Sequence, residues 1–201
     1  MEQVQQNKII VYPTAYIKSL MYFQRFTNKF LDATQLKFAY GLFLGYVEET
    51  LVITDFIPLK EFNQQYIDFE EYDDVFYKIE QLNNQYYDEQ YPEYILGWGR
   101  NSLYNDLEPT EIDKKNHLLF QTAINPQSFF WVFSHEELTI GYGFDIYRFK
   151  DEFLSINQTS ELTQLKLEFA KDVYIDEIIQ LAIDIEEKRK KKEPLMKGLE
   201  E

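Results

Sequence analysis

Tyr94-Ile-Leu-Gly-Trp-Gly-Arg-Asn-Ser102 begins as an apolar run and ends among glycine and polar side chains. Tyr94 to Trp98 is expected to be a short buried strand, and Gly99 to Glu108 a loop rich in Asn, Asp, Ser and Gly. Pro109-Thr-Glu-Ile-Asp113 then opens a helix that carries Ile112, Leu118, Leu119, Phe120 and Ala123 to about Ile124. Asn125-Pro126 stops it, because a residue before proline is driven out of the helical region.

Upstream, Lys8 to Tyr12 is β-branched and bounded by Pro13, so it reads as a first strand. Thr14 caps a helix expected to reach Asp32, with Ala15, Ile17, Leu20, Met21, Phe23, Phe26 and Phe30 as its apolar stripe. Leu36 to Val47 and Leu51 to Pro58 read as a hairpin around Glu48-Glu49-Thr50. Gly41 and Gly45 inside its first strand point to bulges or close backbone approach. Asn63 to Phe69 reads as loop and Glu71 to Tyr87 as a polar helix. Downstream, Ser128 to Ser134 and Tyr142 to Phe149 read as strands. This order predicts an α/β (α+β) layered domain, a mixed sheet flanked by helices.

At 201 residues, 45% apolar and 17% aromatic, the chain is long enough for one domain with an appendage and lies outside disordered compositions. A net charge of −15 argues against nucleic-acid binding, since such a field repels phosphate. The absence of cysteine excludes thiolate zinc ligands and thiol nucleophiles, and two histidines, His117 and His135, are too few for a three-histidine site. Both are read as structural or solvated. The acidic run Asp68 to Asp74 lacks the glycine and spacing of a calcium loop and reads as a solvated helix start. No membrane-spanning stretch and no signal-like start are seen, so a cytoplasmic location, with a nuclear one as alternative, is the expectation.

Gly97-Trp-Gly-Arg100-Asn-Ser102, seven intervening residues and Thr110-Glu-Ile-Asp113 resemble the zinc motif of the MPN (JAMM) metalloprotease family, where Gly-Trp-x-His-x-His precedes Ser-x-x-Asp. Tyr40-Gly-Leu-Phe-Leu-Gly45, Val52-x-Thr-Asp-x-x-Pro58, Val11-Tyr-Pro-Thr14 and Phe144-Asp-Ile-Tyr-Arg-Phe149 resemble further segments of that family in the same order, so the likeness covers roughly residues 8 to 150. Carried over residue by residue, the resemblance places the two zinc-binding histidines on Arg100 and Ser102 and the general-base glutamate on Phe38. It places the hydrogen-bonding serine on Thr110 and the third ligand on Asp113. Only the aspartate remains. A zinc site needs three protein ligands, and a guanidinium stays charged and repels a divalent cation. The resemblance therefore implies a pseudoenzyme without metal or cofactor.

The same residues carry plainer readings. Thr110 and Asp113 form a capping box, and Arg100 either pairs with Asp113 or is a solvated loop residue.

The expected organisation is an MPN-like domain at 1–150, a linker at 151–160, and an amphipathic C-terminal helix and tail at 161–201. The helix, reaching about Glu193, would present Leu162, Leu165, Phe169, Val173, Ile178, Ile179 and Ile185 to a partner. Lys188 to Lys192 reads as its solvated basic end. In the resembled family, metal-free subunits pair with metal-bearing ones in the proteasome lid, the signalosome and initiation-factor assemblies. The resemblance thus implies a scaffold that pairs with a related MPN protein, as homo- or heterodimer, within the ubiquitin–proteasome system. Two alternatives stay open: a module binding a ubiquitin-like protein or peptide in the vacated metal groove, and a hydrolase using Asp106, Glu108 and Asp113.

Overall fold

A computed structural model describes residues 8–63, 66–89, 92–103, 106–139, 141–151 and 160–170. Strand β1 (Lys8–Val11) leads into helix α1 (Pro13–Phe26), which proline starts without losing a needed N–H. Tyr12, rather than Thr14, stands at the N-cap. The helix also stops six residues before Asp32, since the side chains of Thr27 and Asn28 donate back to the carbonyls of Phe23 and Gln24. Those bonds satisfy acceptors that a further turn would have used.

Strands β2 (Lys37–Val47) and β3 (Leu51–Asn63) form the long hairpin, and their pairing slips between Tyr40 and Gly41 and again between Leu44 and Gly45. Both glycines thus mark bulges. A Cβ on Gly45 would lie 1.9 Å from the Val52 carbonyl oxygen, a backbone atom with no freedom to withdraw. Helix α2 (Asp73–Asp88), strand β4 (Tyr94–Asn101), helix α3 (Glu111–Ala123) and strands β5 (Phe129–Phe133) and β6 (Phe144–Phe149) follow, with a short 3-10 turn at Glu136–Thr139.

Strand β4 is longer than expected. Gly99 and Arg100 belong to it because they are paired on both sides, Arg100 with Tyr40 of β2 and Val132 of β5, and Asn101 because it pairs with Phe133 of β5. A central position gives the backbones of Gly99 and Arg100 a full set of partners, which outweighs the loop-like composition.

The last described segment corrects the expected helix. Leu162–Gln164 (β7) and Lys166–Phe169 (β8) are strands. They form one extended run: β7 pairs antiparallel with β6, β8 pairs parallel with β1, and the Leu165 N–H between them donates to Ile146. The described strands lie in the order β7-β6-β5-β4-β2-β3-β1-β8, so this single run joins the two ends of the mixed sheet. Leu162, Leu165 and Phe169 were placed on a docking helix by their helical spacing. They pack instead into their own domain, Leu165 at 4% exposure. Val173, Ile178, Ile179 and Ile185 lie outside the described residues.

Helix α1 covers one face of the sheet, where Tyr16, Leu20 and Phe23 meet Ile9, Phe43, Phe56, Trp131 and Phe144. The other face, covered by α2 and α3, buries Phe38, Tyr40, Leu42, Trp98, Phe130 and Phe120 with Val75 and Ile79. The architecture is thus a mixed α/β sandwich of helices around one sheet.

Candidate functional site

The site lies where the end of β4 meets the start of α3. Thr110 caps that helix: its Oγ1 accepts from the Asp113 N–H at 3.1 Å, and its own N–H donates to Asp113 Oδ2 at 2.7 Å. Both halves of the expected capping box are therefore present, with a carboxylate at the positive end of the helix dipole. The Thr110 hydroxyl also donates to Asp113 Oδ2 at 2.7 Å.

Arg100 reaches the same carboxylate from β4. Its Nε donates to Oδ1 at 2.6 Å and its Nη2 to Oδ2 at 2.5 Å, a two-pronged pairing, while Nη1 donates to the Asn101 carbonyl at 3.1 Å. The two side chains are each 1% exposed. Burial pulls the guanidinium toward losing its proton, but the adjacent carboxylate outweighs that and holds its pKa above the ordinary value.

An aromatic wall seals it. The Tyr66 ring lies 5.1 Å from the guanidinium carbon, and the Phe38 ring lies 4.2 Å from Tyr66. Phe38, 1% exposed, is thus part of the hydrophobic lining at the position the resemblance gives to the general base. Ser102 is buried too; its N–H donates to the Phe133 carbonyl at 2.7 Å and its Oγ accepts from the Asp106 N–H at 3.3 Å. It anchors the following loop to β5.

These positions do not suit a zinc ion. Each Asp113 oxygen already accepts from Arg100, and Oδ2 accepts twice more from Thr110, so an incoming metal would have to displace a guanidinium. Among the described residues, no three His, Cys, Asp or Glu side chains gather as a metal cluster. Asp106 and Glu108 are exposed, and Asp106 Oδ1 accepts from the Glu108 N–H at 2.8 Å. They differ in kind from the enclosed Asp113.

His117 lies one turn beyond Asp113, fully buried between Phe130 at 4.8 Å and Phe149 at 5.3 Å. Neither ring nitrogen has a hydrogen-bond partner among the described residues. Burial, with a smaller contribution from Arg148, pushes its pKa down to about 3, so it is a neutral core side chain. His135 lies half-buried just before the 3-10 turn.

Three organising residues escaped the sequence reading. Tyr66 supplies the ring over Arg100. Asn101, fully buried, accepts from the Ala39 N–H at 2.7 Å and donates to Thr27 Oγ1 and the Lys37 carbonyl, tying β4 to α1 and β2. Asn116 accepts from the Phe69 N–H and donates to the Ile67 carbonyl, fastening the segment before α2 to α3. Only Asn116 left a signal, since three positions after Asp113 places it on the same helix face.

The fold and site together define a mixed α/β domain with an enclosed arginine–aspartate pair at a strand–helix junction. No family model and no curated protein matches the chain. The solution structure of protein DSY2949 from Desulfitobacterium hafniense is similar to it, with a TM-score of 0.53 and 13% identity, over 82% of this chain and 94% of that one. At that identity the likeness concerns the fold alone. Among the described residues, no helix is long and apolar enough to cross a membrane.

Proposed function

We propose that this chain is a cytoplasmic, non-catalytic subunit of the MPN kind that pairs with a related MPN-type domain inside a larger protein assembly. One observation carries the reading: Arg100 and Asp113, the positions to which the resemblance assigns two metal ligands, make a buried, two-pronged contact with each other. Without such an ion there is no acidified water, and a phenylalanine at 38 cannot take a proton. The order of elements supports the same reading, since strand and helix start, the two strands of the glycine-bearing hairpin, the Gly-Trp strand with its capped helix, and the closing strand β6 follow one another in the order of the matched segments. The capping box gives Thr110 and Asp113 a structural role that needs no metal.

Two measurements test it. Calorimetric titration of the purified chain with zinc should give no stoichiometric tight site. Sedimentation of the chain, alone and mixed with a metal-bearing MPN-type domain from the same cell, should give a dimer in one of the two. Tight zinc, or a monomer in both, would defeat the reading.

A further inference from the structure

A shallow groove of about 370 Å³ runs between α2, the segment before it and α3, lined by Phe69, Phe76, Tyr77 and Leu119 with Glu70 and Glu80. Phe69, 1% exposed, is fixed in the core, and its ring lies 6.4 Å from that of Phe76. Tyr77 keeps 60% of its surface in water. Glu80 stands four residues after Phe76 and three after Tyr77, so it neighbours both on the surface of α2. The two carboxylates differ. Lys115 holds Glu70 at 2.7 Å and Asp68 at 2.6 Å, whereas Glu80 is exposed and makes no ion pair among the described residues.

The groove thus offers aromatic rings and a single free carboxylate. That set suits an ammonium group poorly, because a compact, strongly hydrated charge with three donors would find one new acceptor. A guanidinium is planar and weakly hydrated, lies on aromatic faces, and takes one carboxylate with two parallel N–H groups. The protein already holds one cation in this manner: Arg100 places Nε and Nη2 on Asp113, with the Tyr66 ring 5.1 Å from its guanidinium carbon. The described arginines are committed elsewhere. Arg100 and Arg148 are 1% and 7% exposed, and Arg25 belongs to α1 on the opposite face of the sheet.

We propose that this groove is a docking subsite for one arginine of a partner protein, its guanidinium lying on the rings of Phe76 and Tyr77 and its N–H groups on Glu80. Arginine is enriched among the few side chains that dominate binding at protein interfaces, and here the complement is one flat cation to one free carboxylate. The inference goes beyond pairing with an MPN-type domain and does not rest on it. It is read on the isolated full chain, so either idea can fail alone.

Nuclear magnetic resonance signals of the isotopically labelled full chain should be followed while the capped peptide acetyl-Ala-Arg-Ala-amide is added. Those of Tyr77, Glu80 and Leu119 should shift and saturate. A citrulline peptide keeps the shape without the charge, and a lysine peptide keeps the charge without the planar fork. Each should bind about threefold more weakly or worse. Tyr77→Leu removes the ring but keeps apolar surface, and Glu80→Gln removes the carboxylate; both alter exposed side chains. Each should weaken the arginine peptide about threefold or more, with Trp98 and Trp131 fluorescence native. Equal binding of the lysine peptide would reveal only general attraction to a chain of net charge −15 and would overturn the proposal. Equal binding of the citrulline peptide, no saturable shift, or variants that bind as the wild type does would overturn it as well.

Discussion

Replacing Arg100 with methionine keeps the apolar stem but strips the Asp113 carboxylate of its charged partner inside the fold. Both side chains are 1% exposed, so solvent screening offers the orphaned carboxylate little relief. Breaking one side of such a buried pair costs about 3–5 kcal/mol, a large share of the roughly 5–15 kcal/mol that holds a domain together. With a urea slope of about 2–3 kcal/mol per M, the unfolding midpoint should fall by roughly 1.5 M. Trp98 and Trp131, at 1% and 0% exposure, supply the fluorescence readout. The double change Arg100→Met with Asp113→Leu removes both charges and should recover about 2 kcal/mol or more relative to the sum of the single changes. It will not return fully to wild type, because losing the Asp113 half of the capping box costs about 0.5–1 kcal/mol. A loss below about 1 kcal/mol for Arg100→Met, typical of a solvated pair, would refute the reasoning.

Three further outcomes follow from other parts of the molecule. His117 is held neutral with a pKa of about 3, so the unfolded chain takes up its proton first as pH falls below about 6.5. Its contribution is intact above that pH and is lost progressively toward pH 3, by up to about 5 kcal/mol. His117→Leu should flatten the fall in urea midpoint between pH 7 and 4.5, and parallel profiles for the two proteins would count against this account. Gly45→Ala forces a methyl group to 1.9 Å from the Val52 carbonyl and should destabilise by about 1–3 kcal/mol or more in the same urea assay, with a neutral result ruling out the close approach. Ending the chain after Lys150 removes the run that joins β6 to β1, leaving two unpaired edges. That fragment should aggregate in light scattering, while one ending after Ala170 stays folded; a stable monomer ending at Lys150 would show the joining run to be dispensable.

Local chemistry made much of this architecture legible. Pro13 begins α1, Thr110 and Asp113 begin α3, and Gly41 and Gly45 fall at the two slips of the β2–β3 ladder. The pairing of Arg100 with Asp113 was one of the two readings the sequence left open, and the extension of β4 to Asn101 decides for it over a solvated loop residue. Tyr66 and Asn101 were not foreseeable, because their partners lie tens of residues away in the chain. Gly99 to Asn101 read as loop because polar composition cannot reveal that neighbouring strands will claim their backbones, β2 and β5 those of Gly99 and Arg100 and β5 that of Asn101.

The run from 162 to 169 draws the line between the two kinds of information. Leu162, Leu165 and Phe169 keep helical spacing, while Leu165, Leu167 and Phe169 alternate as a strand does, so the residues alone admit either form. The sequence by itself determined the order of elements as far as β6, the cap of α3 and the bulges of the β2–β3 hairpin. The tertiary structure decided the rest: β1 and β6 each offered an edge of unpaired N–H and C=O groups, and only an extended chain lying between them could satisfy both.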